Sequence, residues 1–565
     1  MKDKLKIHDR VEFTDIRHAV ESFPELHGNA PAFTFKYRAH DKEKVTKTFV
    51  DLRDDVRGFA SKLIALGAMG KHVALIGKLS YEWILVYYAV QAIGSVVVPL
   101  DKDWGAQELS DVAKRADIEY LFVDEDIKEK GEQIKAALGL GTCYLTLHMG
   151  DNTVGALVED GKALFAVDSA PYFNAPIDPD KLSLLVFTSG TTGQGKGVML
   201  SQRNYMSDLA DIIPYIDFGK KSVNVLPPHH TYCSSVTIFG HCTAGVESYI
   251  SSGIRYVQKE LKEEEPEHLI LVPLYLETFY RKIMANIKDK GKEKLIARMI
   301  KLSNFLRKFG IDLRRKLFGE VLAAFGGKVR FVITGGAPIS QEIVDFFDGV
   351  GVTVLNGYGI TECAPIISVN PNKLVVRGSV GIPIDVNTVK IFEPNEDGEG
   401  EILVKGANVM LGYYKNEEAT RDAFDEDGYF RTGDYGKIDK KTGAIFITGR
   451  KKNLIILSNG KNVYPEEIES EFTSVPGVID IIVYEGQSKR GLMHNAIVAE
   501  VYPDKDYIEK NNVTDIKAHL QTYVDAYNRT AVPYKKIGIL RVRDEEFPKN
   551  TLRKIMRFKL DMTID

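Results

Sequence analysis

The pattern of apolar and polar residues between positions 50 and 125 alternates between two kinds of segment. Residues 50–67 are amphipathic with helical spacing, residues 72–76 and 120–123 are short and strand-like, and residues 81–98 are long and apolar. Alternating helical and strand patterns are typical of an α/β domain with mainly parallel strands. This part of the chain is therefore predicted to form core, and we assign it no catalytic residue.

Short strands dominate the pattern further along the chain. Residues 398–415 and 428–436 predict strands joined by turns, and strand-like runs at 479–482, 495–501 and 537–542 then alternate with amphipathic stretches. The chain is therefore predicted to fold as a large first domain followed by a small α+β domain.

The amino-acid composition restricts the class of protein and the cellular compartment. The chain has 565 residues, 44% of them hydrophobic and 27% charged, as in an ordinary globular enzyme. A net charge of −4 lacks the basic surplus that generic nucleic-acid binding requires. The four cysteines show no paired spacing and suit a reducing compartment. Since the N-terminus is not signal-like and no apolar run reaches about 18 residues, we expect a cytoplasmic protein without a membrane span.

One loop stands out for its chemistry. Residues 188–197 consist only of Thr, Ser, Gly, Gln and Lys, and they separate two apolar, strand-like runs. Glycines let backbone N–H groups approach an anion, hydroxyls add donors, and Lys196 supplies a positive charge. A flexible surface loop is the alternative, but linkers rarely sit between two such runs. The loop is therefore predicted to bind phosphate.

The spacing from Gly190 to Lys196 matches a Walker A loop up to its last position, where Gly197 replaces the hydroxyl residue that would hold magnesium. Residues 198–200 continue as a strand rather than a helix. A P-loop kinase or ATPase is therefore disfavoured, and a metal ligand must come from elsewhere in the chain.

A second small-residue segment, 353–362, reads TVLNGYGITE. Together the two segments resemble the adenylate-forming superfamily, and within it the acyl-CoA synthetases, or fatty acid-CoA ligases. The resemblance covers nearly the whole chain. It implies a large N-terminal domain of α/β subdomains, with parallel-rich sheets and a small β-barrel-like part, and a small α+β C-terminal domain on a hinge.

The resemblance also implies a reaction in two steps. A carboxylate attacks the α-phosphate of ATP to give acyl-AMP and pyrophosphate, and a thiol then displaces AMP. We expect a medium- or long-chain fatty acid and CoA as the substrates. The alternative is an acyl or aryl ligase that loads a carrier-protein thiol. A non-catalytic protein of this fold would not be expected to retain together Lys196, Glu362, Asp434, Arg450 and Lys554.

The same resemblance assigns an ATP site. Asp434 and Arg450 would contact the ribose, although an aspartate at a turn is often only a cap. Tyr358 would stack on the adenine, between two walls of small residues that follow strand-like runs. The phosphate side would comprise Thr188, Ser189, Gly190, Thr191, Thr192, Gly193 and Lys196, and the adenine walls Gly336, Ala337 and Pro338 with Asn356, Gly357, Tyr358, Gly359 and Thr361.

Glu362 would be the Mg²⁺ ligand, with the hydroxyl of Thr188 or Thr191 assisting on the phosphate side. Magnesium prefers hard oxygen ligands and keeps several waters, so one carboxylate together with ATP oxygens suffices. A surface salt bridge is the plainer alternative for Glu362. We expect Glu362, Thr188 and Lys554 to be the catalytic residues.

His230, which follows His229 at the end of an apolar segment, would border the carboxylate and acyl pocket. A plain core histidine is one alternative. Another is a metal site, although its spacings match no standard zinc pattern. The residues of such a site would be His229, His230, Cys233, His241 and Cys242.

The domain boundary is expected near residue 451, giving domains 1–451 and 452–565 with Lys452 as the hinge. Lys554 matches the catalytic lysine of the family, because its spacing from Pro548 is kept. Many relatives have threonine and glycine where this chain has Asn550 and Arg553.

Residues 281–316 hold thirteen Lys and Arg residues against three Asp and Glu. The simpler interpretation is one or two surface helices with solvated lysines. The more specific interpretations are that the segment makes peripheral contact with anionic lipid on the inner face of the membrane, and that it attracts the CoA phosphates. Apolar residues of the same stretch recur at helical spacing: Leu295, Met299, Leu302, Leu306, Phe309, Leu313 and Leu317.

The sequence leaves the oligomeric state open, with a homodimer among the alternatives.

Overall fold

The computed structural model describes residues 2–188, 195–457, 462–486, 496–549 and 555–564. Within these ranges the strands, in chain order, are β1 (Pro31–Phe35), β2 (Val45–Thr48), β3 (His72–Ile76), β4 (Val96–Leu100), β5 (Ile118–Val123), β6 (Cys143–Leu145), β7 (Leu182–Thr188), β8 (Lys196–Ser201), β9 (Lys221–Asn224), β10 (Glu247–Ile250), β11 (His268–Leu271), β12 (Phe331–Thr334), β13 (Thr353–Gly359), β14 (Ile366–Val369), β15 (Ile382–Pro383), β16 (Asn387–Phe392), β17 (Gly400–Gly406), β18 (Gly412–Tyr413), β19 (Phe430–Ile438), β20 (Ile445–Arg450), β21 (Ile455–Ile456), β22 (Asn462–Val463), β23 (Val478–Glu485), β24 (Ile497–Pro503) and β25 (Ile539–Val542).

The helices of the same ranges are α1 (Ile16–His27), α2 (Phe49–Ala65), α3 (Tyr81–Ala92), α4 (Ala106–Arg115), α5 (Lys128–Leu138), α6 (Val154–Val167), α7 (Ala170–Asn174), α8 (Gln202–Ile212), α9 (Gly240–Ala244), α10 (Val257–Glu264), α11 (Pro273–Asp289), α12 (Glu293–Arg307), α13 (Arg314–Leu317), α14 (Gly319–Leu322), α15 (Gln341–Val350), α16 (Glu417–Asp422), α17 (Pro465–Phe472), α18 (Lys505–Lys510) and α19 (Ile516–Thr530). A π-helix, Tyr232–Phe239, lies between β9 and α9.

Two large sheets organise the first part of the chain. The nine-stranded sheet has the order β15-β14-β13-β12-β11-β9-β10-β1-β2, and the seven-stranded sheet has the order β18-β8-β7-β4-β3-β5-β6. Their central strands pair in parallel, as alternation of helices and strands predicts. The predicted fold class is confirmed. The turn-rich stretch after them forms an antiparallel sheet, β16-β17-β19-β20, and the small C-terminal sheet is β23-β24-β25.

The apolar segment 81–98 divides into two elements. Every residue of α3 is buried, which explains why the segment lacks the polar face of a surface helix. Gly94 then turns the chain into β4 with a φ of +71°, and a β-carbon there would overlap the carbonyl oxygen of Pro176. Glycine is therefore required at this turn for two reasons, its φ angle and its lack of a side chain.

The hairpin of β7 and β8 presents the predicted phosphate loop. Thr188 at the end of β7 pairs with Lys196 at the start of β8, so the two ends of the predicted loop lie opposite each other on antiparallel strands. Residues 196–201 form a strand, as the absence of a Walker-type helix predicts. The helix α8 begins only after Ser201, which forms a capping box with Asn204.

In the described residues, none of the helices combines the length and the apolar character needed to cross a bilayer. The four cysteines are buried free thiols.

The helices α2 and α6 cross where Gly58 faces Gly161, and a β-carbon at Gly161 would overlap the carbonyl oxygen of Gly58. We expect Gly161→Ala to lower the free energy of unfolding by about 1–3 kcal/mol, because two helix backbones must separate. Gly319→Ala is the matched control, since a β-carbon on this exposed helical glycine meets nothing within 4 Å. Equal thermal unfolding midpoints for the two variants would contradict this interpretation of the crossing.

Candidate active site

The ends of the phosphate loop are fixed by the β7–β8 hairpin. The Thr188 hydroxyl donates to the backbone carbonyl oxygen of Lys196 over 3.4 Å, and the Lys196 side chain is exposed beside it. The loop residues themselves lie outside the described part of the chain, so their predicted roles stay predictions: Ser189, Gly190, Thr191, Thr192 and Gly193.

The two predicted adenine walls lie side by side. In the parallel pair β12 and β13, Thr334 lies opposite Asn356, so the chain leaves β12 beside Gly357. A β-carbon on Gly335 would lie 2.9 Å from the carbonyl oxygen of Gly357. The segment that contains Gly336, Ala337 and Pro338 therefore begins against the segment that contains Asn356, Gly357 and Tyr358.

Asp434, Arg450 and Tyr358 meet in one contact. The antiparallel pair β19 and β20 places Asp434 opposite Arg450, whose Nε lies 2.7 Å from Asp434 Oδ1. The Tyr358 hydroxyl donates to Asp434 Oδ2, also over 2.7 Å. Burial and then the Asp434 charge raise the pKa of Tyr358 well above its usual value, so this hydroxyl stays protonated as a donor. The two residues predicted to hold the ribose are thus oriented by each other and by the predicted stacking tyrosine.

Glu362 and Lys196 are joined through Tyr413, a residue that the sequence analysis did not identify. The Tyr413 hydroxyl donates to Glu362 Oε1 over 2.9 Å. The Lys196 ammonium lies 4.5 Å from the centroid of the same ring, within the range of a cation–π contact. Burial and the Glu362 charge raise the pKa of Tyr413. Tyr413 occupies β18, which pairs with β8, so this contact depends on strand pairing remote in sequence.

Some of these groups border a cavity of about 590 Å³. Lys196, Glu362 and Arg450 line it, which brings together the predicted phosphate, metal and ribose positions. The cavity also contains charged residues that the sequence analysis missed. Glu401 is buried and lies 2.9 Å from the Lys451 ammonium and 3.3 Å from the Arg431 guanidinium.

The oxygen atoms of Glu362 and Thr188 are suitable ligands for a hard divalent cation. Glu362 is half-buried, faces the cavity, and accepts a hydrogen bond from a hydroxyl rather than from a cation. Carboxylate oxygen is the ligand that Mg²⁺ prefers, and the hydroxyl of Thr188 lies on the adjacent hairpin. Glu362 could therefore hold a magnesium ion together with phosphate oxygens.

His230 lies beside a second histidine, and both are half-buried. The ring centroids of His229 and His230 are 4.0 Å apart, and His229 Nε2 lies 3.5 Å from the buried carboxylate of Asp101. Burial lowers the pKa of His229 to about 4, so this imidazole is neutral at physiological pH. Asp101 comes directly after β4, which the sequence analysis treated as core alone.

The residues of the alternative metal site do not converge. His241 shares hydrogen bonds with Ser248, over 2.7 Å, and with His268, over 3.1 Å. Cys233 lies instead against the side chains of Asn224 and Thr237. In the described ranges no cluster of three His, Cys, Asp or Glu side chains could hold a metal ion.

The predicted hinge follows the ribose contact directly. Lys451–Asn453 is a short 3-10 turn at the end of β20, and Asn453 donates to Glu466 over 2.6 Å. Burial and the neighbouring Arg450 and Arg557 lower the pKa of Lys452. Lys554 lies outside the described residues.

The two ends of the segment that carries Lys554 are placed. Lys549 forms a β-bridge with Ile555 and an ion pair of 2.6 Å with Asp480 of β23. The small C-terminal sheet therefore holds the base of this segment.

Residues 20–414 match the sequence profile of a family described as AMP-binding enzyme. The chain belongs to the AMP-binding enzyme family. The prediction of an adenylate-forming enzyme, which was based on the phosphate loop and residues 353–362, is confirmed at this level. The individual site residues remain predictions supported by their geometry.

Two relatives are similar over most of their length. Long-chain-fatty-acid–CoA ligase FadD15 of Mycobacterium bovis is 27% identical over 491 residues, covering 81% of this chain and 80% of the relative. Long-chain-fatty-acid–[acyl-carrier-protein] ligase AEE15, chloroplastic, of Arabidopsis thaliana is 28% identical over 628 residues, covering 96% of this chain and 84% of the relative.

A solved structure has the same fold. The o-succinylbenzoate coenzyme A synthetase MenE from Bacillus subtilis, in complex with ATP and magnesium ion, superimposes with a TM-score of 0.69 at 21% identity. The alignment covers 96% of this chain and 98% of MenE.

The contact between Tyr413 and Glu362 leads to a test of the metal position. We expect Tyr413→Phe to weaken the binding of ATP in the presence of Mg²⁺ by about tenfold, because Glu362 loses its hydroxyl donor. Binding without Mg²⁺ should be unchanged, since the phenyl ring keeps its contact with Lys196. Titration calorimetry with and without the ion measures both quantities.

Tyr414→Phe is the matched control. Its hydroxyl also donates to a carboxylate, that of Asp117, but the residue does not line the cavity. An equal loss for both variants, or a loss that does not depend on Mg²⁺, would argue against Glu362 as the metal ligand.

Proposed function

We propose that the protein activates a carboxylic acid with ATP and transfers the acyl group to CoA, giving acyl-CoA, AMP and pyrophosphate. The preferred acid is a medium- or long-chain fatty acid. The observation that carries this proposal is the cavity in which Lys196, Glu362 and Arg450 meet. The name of the Mycobacterium relative, a long-chain-fatty-acid–CoA ligase, supports the choice of substrates.

Catalysis of the first step is mostly placement of charge, since ATP and a carboxylate repel each other. Asp434 and Arg450 hold the ribose, and the hairpin of Thr188 and Lys196 retains the departing pyrophosphate. Lys554 offsets negative charge that develops at the α-phosphate. Mg²⁺, when bound at Glu362, neutralises charge on the phosphate oxygens. An ionised carboxylate needs no general base.

The two steps require different access to the same site. Residues 452–565 are proposed to form a mobile domain that carries Lys554, and residues 1–451 the domain that binds ATP and the acid. His230 is proposed to border the acid, because it lies on the segment leading into the π-helix Tyr232–Phe239, and π-helical turns are frequent at functional sites.

A second candidate function is a ligase that loads a carrier-protein thiol or accepts an aryl acid. The Arabidopsis relative is named for an acyl-carrier-protein substrate, and MenE for an aryl acid.

The experiment that tests the proposal measures exchange of labelled pyrophosphate into ATP across a panel of acids. Fatty acids of increasing length should support exchange, and benzoate and o-succinylbenzoate should not. Product analysis with CoA and with a phosphopantetheinylated carrier protein then identifies the thiol. If no acid stimulates exchange, the proposed function is wrong.

A substitution at the hinge separates the two steps. Proline fixes φ and restricts the residue before it, so Lys452→Pro should hold the small domain in one arrangement. We expect adenylation within about tenfold of the parent and thioester formation from acyl-AMP and CoA reduced about a hundredfold or more.

Lys452→Ala is the control, because it removes the side chain but keeps the freedom of the backbone. Parental rates of thioester formation in Lys452→Pro would mean that the hinge lies elsewhere.

A further inference from the structure

Helix α12 has two separate apolar faces. The inner face packs on the core of the nine-stranded sheet through Ile296, Met299 and Ile300, and Ser303 on the same face is fully buried. These positions are three or four residues apart, the spacing of one face of a helix. The inner face therefore anchors the helix to the domain, and the ion pair of Arg307 with Asp348 of α15 adds to this anchoring.

The outer face is also apolar, but it is exposed to solvent. Leu295, Leu302 and Phe309 recur at intervals of seven residues, so they lie in one line along the helix and its first turn beyond Arg307. Their exposed fractions are 53%, 56% and 67%, and that of Phe305 is 55%. The rings of Phe305 and Phe309 make an edge contact at 5.2 Å. We call these four residues the apolar row.

A line of cations runs beside the apolar row. Lys294, Lys301 and Lys308 also recur at intervals of seven, each one position before a member of the apolar row, and Arg298 lies between them. We call these four residues the cationic row. Within the ranges that the structure describes, none of the four makes an ion pair, although the segment's Arg307 and Arg314 both pair with Asp348 of α15.

The two rows together have the chemistry of an interfacial helix. Apolar side chains of this kind enter the boundary between headgroups and acyl chains, and flanking lysines contact lipid phosphates. The whole chain has a net charge of −4, whereas residues 281–316 hold thirteen Lys and Arg against three Asp and Glu, so the remainder is strongly negative. An anionic surface would attract this face and repel the others.

Partners other than a lipid surface match the two rows less well. A second copy of the chain would set one cationic row near another. The phosphates of CoA would neutralise the cations but leave four large apolar side chains in water. Lipid satisfies both rows at once.

We propose that α12 docks the protein on an anionic phospholipid surface, with the apolar row inserted and the cationic row against the phosphates. This inference does not depend on the proposed function, because docking needs neither ATP nor an acid. If the function is as proposed, docking places the enzyme where fatty acids partition.

The test is co-sedimentation of the full chain with vesicles, in the absence of substrates. Binding is expected to vesicles containing about one-third phosphatidylglycerol, to be far weaker with pure phosphatidylcholine, and to fall as salt screens the charges. The variants Leu302→Ser/Phe305→Ser/Phe309→Ser and Lys294→Gln/Lys301→Gln/Lys308→Gln should each lower the partition coefficient by about tenfold or more.

The matched control is Met149→Ser/Val167→Ser/Ile254→Ser, which removes three apolar side chains of greater exposure from other surfaces. It should bind like the parent, and circular dichroism should be the same for all variants. The proposal is overturned by absence of binding at low salt, or by binding that survives loss of the apolar row. It is also overturned if the apolar-row variant only dissociates a dimer, or if the cationic-row variant only raises the KM for CoA.

Discussion

The contact between Asp434 and Arg450 determines the geometry of the whole site. A buried carboxylate must keep a charged partner or donors, and Asp434, only 2% exposed, has the Arg450 guanidinium and the Tyr358 hydroxyl. Tyr358 belongs to the nine-stranded sheet, whereas Asp434 and Arg450 belong to the antiparallel sheet. One polar cluster therefore links the nine-stranded sheet to the antiparallel sheet. Arg450 is also the last residue of β20, so the cluster fixes the strand end that precedes the proposed hinge at Lys452.

Some charged groups of the cavity are paired with each other and others are available to a ligand, an arrangement that favours binding of a polyphosphate. Glu401 is neutralised by Lys451 and Arg431, so its negative charge is compensated before any ligand arrives. Among the described residues, the Glu362 carboxylate accepts a hydrogen bond from a hydroxyl, and the Lys196 ammonium contacts the ring of Tyr413. One cation and one carboxylate are thus kept available. A nucleotide phosphate can use the first, and a metal ion that accompanies the phosphate can use the second.

The local pattern of apolar and polar residues predicted helices and strands well. It could not predict which strands pair with strands that are distant in sequence. The strands on both sides of the phosphate loop and the two small-residue walls follow from residues close in sequence, since a strand end and the turn after it share one local pattern. Tyr413 reaches Glu362 only because β18 pairs with β8, and no periodicity contains that information. The basic segment shows the same limit. Its helical spacing was predicted, but Met299 faces the core whereas Leu295 and Leu302 face solvent, because the sequence does not say which of two apolar stripes the neighbouring elements cover.

The contacts between the small domain and the helices of the large domain bear on whether the small domain can move. Far from the hinge, Ser474 donates to Glu342 of α15 over 2.6 Å, and Lys510 pairs with Asp289 of α11 over 3.0 Å. Exposed pairs of this kind contribute about 0–1 kcal/mol each, so breaking them opposes rotation only weakly. The core of the small domain is a separate cluster that includes Ile468, Val483 and Leu520. A domain with its own core can turn without loss of its own stability. The proposed rotation about residues 451–453, which would deliver and withdraw Lys554, therefore meets little resistance from the contacts that the described residues show.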